Sequence, residues 1–213
     1  KALIGILADH EESLGAEVEV INDAPNGFNI NVDCGSTHIR ALQEHVRANQ
    51  LDVGFAVDGD ADRCLAVDAS GQVVDGDAIM VVLAMAMQES GELASNTLVA
   101  TVMSNLGLHQ AIRKEGGTVV VTPVGDRYVL EAMRASGFSL GGEQSGHVIF
   151  LEYASTGDGE LTALQFMSIL KASGKKCSEI AAEVEPWTQL MINVKVPNDK
   201  KATLQQMPEV KEA

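Results

Sequence analysis

Asp58-Gly59-Asp60-Ala61-Asp62-Arg63 is the stretch that organises the rest of this sequence. Apolar runs flank it at residues 53–57 and 64–67, a pattern that predicts a strand, an acidic loop and a second strand. Three aspartates this close together repel one another unless a cation neutralises them. Carboxylate oxygens suit magnesium, manganese or calcium, and the small residues between them let the backbone curl around an ion. The loop is therefore predicted to bind a divalent metal ion.

The predicted metal ligands are Asp58, Asp60 and Asp62, and Arg63 lies directly beside them. The alternative interpretation is a solvated acidic turn between two strands, which is common for a single Asp-Gly pair. An EF-hand is excluded, because Arg63 stands where that loop needs glycine and Ala69 stands where it needs a bidentate glutamate.

The composition indicates a packed, acidic globular protein. Of the 213 residues, 46% are hydrophobic, and 30 acidic residues against 15 basic ones give a formal net charge of -15. This length allows one large domain or two small ones. Because no basic stripe is present, neither nucleic acid nor an anionic membrane surface is a predicted partner.

The cysteines and the apolar stretches bear on location. Cys34, Cys64 and Cys177 are far apart and lack metal-ligand spacing, so we expect reduced thiols in a cytoplasmic protein, with Cys64 buried in its strand. The longest apolar stretch, Ala78–Met87, is too short to span a bilayer.

The pattern up to Gly76 predicts a first domain over residues 1–76. A helix is expected within residues 1–15, a strand at Glu17–Ile21, and a helix ending near Ala48 that Ser36 or Thr37 would cap. The two strands around the acidic loop follow, and then a short third strand at residues 72–74.

The pattern after Gly76 predicts a second domain over residues 77–190. Asp77 is expected to cap a helix over residues 78–90, whose methionines are interpreted as core filler. Residues 191–213 are expected to begin a further domain or to form a disordered tail. The expected strands lie at residues 97–101, 118–122 and 190–196. Ser104-Asn105 is expected to cap a helix through Lys114, and further helices are expected at residues 126–135, 158–171 and 178–183.

This alternation of strands and helices defines the predicted fold class. It is α/β, with two consecutive α/β domains whose mixed sheets pack between helices and whose strands pair largely in parallel.

A second informative stretch is the loop at residues 141–147. In an extended loop alternate side chains share a face, so Glu143, Ser145 and His147 would point the same way. An acceptor, a hydroxyl and an imidazole on one face suit a polyhydroxylated ligand, and His147 could move a proton near neutral pH. The alternative is a glycine-rich hairpin turn, and the residues alone leave both interpretations open.

A third loop, residues 122–127, leaves a predicted strand and enters a predicted helix. Backbone amides at the helix start could hold an anion, and Arg127 could support it. Alternatively, Asp126 only caps the helix and Arg127 only pairs with Glu131 one turn later.

Taken together, residues 58–63 and 142–147 resemble the metal-binding and sugar-binding loops of the α-D-phosphohexomutases. Within this superfamily, Gln144 and the runs at residues 101–105 and 124–129 are most similar to the bacterial phosphoglucosamine mutases. The resemblance implies the second and third domains of the phosphohexomutase fold.

The resemblance also implies interconversion of glucosamine 6-phosphate and glucosamine 1-phosphate, on the route to peptidoglycan precursors. In this family a phosphoserine donates its phosphoryl group to the sugar, and the resulting bisphosphate reorients and returns the other phosphoryl. By motif, Asp58, Asp60 and Asp62 would bind Mg²⁺, and Arg63 would lie beside the transferring phosphoryl.

The same resemblance assigns the substrate contacts. Glu143 and Ser145 would bind hydroxyls of the phosphorylated amino sugar, and His147 would transfer a proton or position the substrate. Arg127 would be a further, weaker substrate contact. The alternatives are a phosphomannomutase/phosphoglucomutase and a non-catalytic divalent-cation or sugar-binding module.

Two family motifs are missing from the sequence. Neither a serine loop of the Thr-Ala-Ser-His-Asn-Pro type nor a phosphate-binding loop of the Arg-x-Ser-Gly-Thr type occurs in it. The chain is therefore expected to be a central piece of such an enzyme, without mutase turnover by itself. Its second domain would be incomplete, and the strand edge thus exposed would favour a homodimer.

Overall fold

The computed structural model of the protein describes residues 15–190 and 195–198. A first, antiparallel sheet contains β1 (Val53–Val57), β2 (Cys64–Asp68) and β3 (Val73–Val74) in that order. Val57 pairs with Cys64, so residues 58–63 close the hairpin between β1 and β2. The predicted strand, acidic loop and strand are confirmed.

One helix precedes this sheet and packs on it. Helix α1 (Arg40–Asn49) contacts β1 and β2, and a 3-10 turn at Ser36–His38 lies just before it. The expectation that Ser36 or Thr37 caps the helix is wrong: the 3-10 turn occupies those positions, and Ile39 at the N-cap makes no side-chain cap bond.

Two expectations for the start of the chain differ in outcome. Glu17–Ile21 alternates as a strand would, but it has no strand structure, because no described neighbour supplies the ladder of hydrogen bonds that a strand needs. The helix expected within residues 1–15 lies outside the described residues, except for Gly15, which is in a turn.

A second sheet is mixed. It contains β4 (Thr97–Thr101), β5 (Thr118–Thr122), β6 (Leu140–Gly142) and β7 (Val148–Phe150) in the order β5-β4-β6-β7. Strand β4 runs parallel to β5 and β6, and β7 returns antiparallel to β6.

Helices cover both faces of the second sheet. Leu98 and Ala100 of β4 pack into a large core with the helix α2 (Gly76–Ser90), whereas Val99 between them packs with Val129 and Met133 on the opposite face. This alternation follows from the two-residue period of a strand. Further helices among residues 15–190 are α3 (Leu106–Lys114), α4 (Asp126–Ser136), α5 (Gly159–Ser173) and α6 (Cys177–Ala181).

Helix α2 is the central element and contacts strands of both sheets. Its residues 76–84 are all buried, and its methionines pack in or against the core, as predicted. The cap prediction is wrong: the side chain of Asp75, not Asp77, accepts a hydrogen bond from the Ala78 amide at 3.0 Å. Asp77 instead accepts from the Asn105 amide at 2.7 Å, a tertiary contact that local spacing does not reveal.

The α/β class with a mixed sheet is confirmed, and the preference for parallel pairing holds only in the second sheet. In the first sheet the connections are short turns, and parallel strands would need long crossovers. The strand expected at residues 190–196 lies largely outside the described residues, and its described positions are not in a strand. Within the described part of the chain, no helix is long and apolar enough to cross a membrane.

Candidate functional site

The acidic loop brings its three aspartates together. One carboxylate oxygen from each of Asp58, Asp60 and Asp62 lies within 4.8 Å of the others. The turn is closed by the Ala61 amide, which donates to the Asp58 carbonyl at 3.2 Å, and Ala61 takes a left-handed φ of 57°. Few residues with a Cβ adopt this conformation, so contacts with the surrounding structure must keep the loop in it.

Arg63 is paired with two of these carboxylates. Its Nε lies 3.1 Å from Asp58 Oδ2 and 3.5 Å from Asp62 Oδ1. Its side chain remains 42% exposed, so the guanidinium can also reach an anionic ligand.

The electrostatics of the loop suit a cation. Burial and the charges of Asp58 and Asp60 raise the pKa of Asp62, while His147 acts in the opposite direction. Asp62 Oδ1 is buried and accepts no hydrogen bond among the described residues. This oxygen has only the longer ion pair with Arg63 and lies beside two like charges, and a hard divalent cation would satisfy it. These residues therefore fit Mg²⁺ or Mn²⁺.

The predicted sugar loop is a tight turn that joins β6 to β7, which is the hairpin turn and not the extended loop of the two conformations that the sequence leaves open. Glu143 donates its amide to the His147 carbonyl at 2.9 Å, and Gly146 donates to the Glu143 carbonyl at 3.0 Å. The hairpin pairing of β6 and β7 is responsible, because it brings the two ends of the loop together. Ser145 lies exposed at the tip.

Glu143 faces the third predicted loop. Its Oε1 accepts a hydrogen bond from the Gly125 amide at 3.0 Å, just before α4. The hairpin and the loop after β5 are therefore in direct contact. Arg127 on α4 is exposed, and its Nε lies 2.7 Å from Glu131 Oε1. This is the pairing one turn later that the sequence offers as the alternative to an anion contact.

His147 is buried beside the metal loop. Its Nε2 accepts a hydrogen bond from the Gly157 amide at 3.1 Å and lies 3.6 Å from Asp62 Oδ2. Because Nε2 is an acceptor in this arrangement, the neutral ring carries its proton on Nδ1, which is buried without a hydrogen-bond partner among the described residues.

The two motifs meet through their main chains. Arg63 and His147 form an antiparallel β-bridge, and the Cys64 amide donates to the Gly146 carbonyl at 3.0 Å. The structure thus places Asp58, Asp60, Asp62, Arg63 and His147 together, while the exposed side chain of Arg127 pairs with Glu131.

Several residues at this junction are not among the site residues predicted from the sequence. Gly76 donates its amide to the Gln144 carbonyl at 3.0 Å, and the Gln144 amide group lies 3.4 Å from Asp75 Oδ2. Gly157 and Gly159 abut the metal loop. Two closely spaced glycines before α5 indicate that another part of the protein approaches the backbone there. Local sequence cannot show which part of the chain that is.

The fold and the paired loops define the class of protein. Residues 75–187 match the family described as phosphoglucomutase/phosphomannomutase, alpha/beta/alpha domain III. The chain belongs to this family, within the phosphohexomutase superfamily. A putative phosphomannomutase from Thermus thermophilus has a similar structure, with a TM-score of 0.73 and 25% identity over 84% of this chain and 42% of that one.

Within this superfamily, the chain is most clearly similar to curated phosphoglucosamine mutases. The chain is 57% identical over 199 residues to a phosphoglucosamine mutase of Mycobacterium ulcerans, covering 93% of this chain and 44% of that protein. It is 52% identical over 198 residues to a phosphoglucosamine mutase of Streptococcus gordonii, again covering 93% and 44%. The predicted resemblance is confirmed, and the chain spans less than half the length of these relatives.

Proposed function

We propose that this chain supplies the metal-binding and sugar-binding parts of a phosphoglucosamine mutase, which interconverts glucosamine 6-phosphate and glucosamine 1-phosphate. The observation that carries the proposal is the β-bridge between Arg63 and His147, which holds the acidic loop beside the hairpin. The relatives named phosphoglucosamine mutase, which are 52% and 57% identical to this chain, support an amino sugar as the substrate.

In this proposal the acidic loop handles the phosphoryl group. Asp58, Asp60 and Asp62 would hold Mg²⁺, which when bound neutralises charge on phosphoryl oxygens. Arg63, paired to the same carboxylates and partly exposed, would contact the transferring phosphoryl.

The hairpin would bind the sugar. Glu143 would accept hydrogen bonds from hydroxyls of the phosphorylated amino sugar, and the hydroxyl of the exposed Ser145 would donate to them or accept from them. His147 would position the substrate or move a proton, and Arg127 would add a weaker contact if its pair with Glu131 opens.

The phosphoryl donor and the second phosphate site would come from sequence beyond these residues. In the proposed cycle a phosphoserine gives its phosphoryl to the sugar, and the bisphosphate reorients and returns the other one. Because the 213 residues contain neither the serine motif nor the phosphate-binding motif, the chain alone should be inactive.

The predicted domain division and location belong to the same proposal. Residues 1–76 would be an incomplete second domain, residues 77–190 the third domain, and residues 191–213 the start of a fourth or a disordered tail. The protein would be cytoplasmic, and two copies could pair.

The test is a turnover assay on the product of the whole reading frame that encodes these residues. We expect it to convert glucosamine 6-phosphate in preference to glucose and mannose phosphates, and the 213-residue chain to show no turnover. Preference for mannose or glucose phosphates would favour a phosphomannomutase/phosphoglucomutase. Metal or sugar binding without turnover by the whole product would favour a binding module, and turnover by this chain alone would contradict the proposed division of parts.

A further inference from the structure

Three glycines pack against the backbone of the metal loop or of Cys64, which follows it. They are Gly146, Gly157 and Gly159. A Cβ added at Gly159 would lie 2.6 Å from the Arg63 carbonyl oxygen, and one at Gly157 would lie 2.6 Å from the Asp62 carbonyl oxygen. At Gly146 it would collide with the Cys64 carbonyl. At each of the three positions at least one obstacle is a main-chain atom, which cannot rotate away as the end of a side chain can.

Gly159 also hydrogen-bonds to the loop. Its amide donates to the Ala61 carbonyl at 2.8 Å. Gly159 is the first residue of α5, and amides in the first turn of a helix have no partner within the helix. The Ala61 carbonyl therefore pairs with a buried donor that the helix itself leaves without a partner.

The acceptor of this bond is the strained residue of the loop. Ala61 has a φ of 57° and stands between Asp60 and Asp62. Its backbone direction sets where the two neighbouring carboxylates point. Because the left-handed conformation is unfavourable for alanine, it persists only where surrounding contacts hold it.

Gly157 links the same loop to the hairpin. Its amide donates to His147 Nε2 at 3.1 Å, and its Cα packs so closely that an added Cβ would lie 2.6 Å from that nitrogen as well as from the Asp62 carbonyl. The segment before α5 thus contacts both halves of the site.

From these contacts we infer that Gly157 and Gly159 are positioning residues, which hold the metal loop in its ligating shape and couple it to the hairpin. Neither residue has a side chain that could act on a substrate. They act through the backbones of Ala61 and Asp62 and through the His147 ring. The inference rests on the proposed function in one respect, namely that Asp58, Asp60 and Asp62 bind a divalent cation.

The test compares the 213-residue chain with its Gly159→Ala variant by two readouts. Mn²⁺ binding, followed by electron paramagnetic resonance, is expected to weaken by about 10-fold or more, the effect of losing outer partners of a metal site. Amide hydrogen exchange across residues 58–64, measured without metal, is expected to be faster. Since alanine is a better helix former than glycine, helix propensity alone would not cause either change.

Gly137→Ala is the matched control. Gly137 ends α4 with a φ of 70° and has nothing within 4 Å of an added Cβ, so the substitution strains the backbone far from the site. It should lower the melting temperature without changing Mn²⁺ affinity or exchange in the loop. If Gly159→Ala is not obtained folded, His147→Phe removes the acceptor of the Gly157 amide, and His147→Gln restores one.

The outcomes separate the inference from the proposed function. Wild-type Mn²⁺ affinity and loop exchange in folded Gly159→Ala, or equal behaviour of the two His147 variants when these replace it, would overturn the inference. If the wild-type chain shows no saturable Mn²⁺ binding, the metal assignment fails, and faster loop exchange in the variant would still support the positioning role.

Discussion

The backbones of Arg63 and His147 pair as an antiparallel β-bridge, and this pairing joins a loop of the first sheet to a hairpin of the second. Both residues are the predicted catalytic ones of their motifs. Because main-chain atoms make the bridge, it does not depend on the identity of either side chain. A substitution of the partly exposed Arg63 can therefore report on function without breaking the bridge, whereas a substitution of His147 also changes the acceptor of the Gly157 amide.

Replacing Asp62 by asparagine should separate metal binding from stability. We expect Mg²⁺ to stabilise the wild-type chain by about 1.4 kcal/mol when its concentration is ten times the dissociation constant, and the variant much less. Without metal at pH 7 the variant should be the more stable, because burial and neighbouring carboxylates disfavour the charged form of Asp62. Thermal unfolding with and without Mg²⁺ measures both effects.

The control for this prediction is Glu89→Gln, which removes one charge from an exposed position on α2. It should leave the response to Mg²⁺ unchanged. An Asp62→Asn variant that Mg²⁺ stabilises as much as the wild type would exclude Asp62 as a ligand.

Asp77 should make the stability of the chain depend on pH. Its pKa is raised from 3.8 to about 6, chiefly by burial, so the folded state binds its proton more tightly than the unfolded state. The destabilisation is therefore absent below about pH 4, develops as the pH rises through 4 to 6, and is complete above that range. Above pH 7, Asp77→Asn should be more stable than the wild type by roughly 2–3 kcal/mol.

The comparison is made by urea unfolding of both chains between pH 4.5 and pH 8. The asparagine can still accept from the Asn105 amide, so the difference between the chains isolates the charge. The gap should close as the pH falls. A gap that stays constant over this range would show that the carboxyl is not the cause.

Gly76→Ala should loosen the hairpin from α2. An added Cβ would collide with the Glu143 carbonyl and lie 2.6 Å from the Gly146 amide nitrogen. We expect a loss of about 2 kcal/mol or more in the free energy of unfolding, as for overpacking in a core. Gly91→Ala, at the end of the same helix with open space around it, should lose only about 1 kcal/mol, from the left-handed φ of 78°. Similar losses for the two variants would contradict this packing.

Asn105 should hold the segment that follows α6. Its side chain accepts from the Gly107 and Trp187 amides, both at 2.9 Å, and donates to the Trp187 carbonyl at 2.8 Å. Asn105→Ala should cost about 1–2 kcal/mol through the lost helix cap. It should also shift the emission of Trp187, the only tryptophan, to longer wavelength.

Asn105→Ser tests whether these two effects are separate. Serine can cap α3 but is too short to bridge to Trp187, so most of the stability should return while the emission stays shifted. Wild-type emission from both variants would show that Asn105 does not hold this segment.

The sequence by itself determined the elements whose signals are local. Alternating or continuous apolar runs marked β1, β2, β4 and β5, and the three closely spaced aspartates marked the metal loop, because these patterns reflect the burial and repulsion of near neighbours. The resemblance of two short loops to known motifs identified the superfamily. The local sequence also predicts Ser104-Asn105 as the cap of α3, and Asn105 is the residue that caps it.

Where the local sequence allows several caps, strand pairings or backbone contacts, only the tertiary structure decides which of them forms. Asp75 and Asp77 are both possible caps for α2, and the contact of Asp77 with Asn105 settled the matter. Glu17–Ile21 has the pattern of a strand without a described partner strand. Gly157 and Gly159 approach a loop that is distant in the sequence. Hydrogen bonds and close packing between distant segments depend on where the whole chain goes, and no local pattern of residues contains that information.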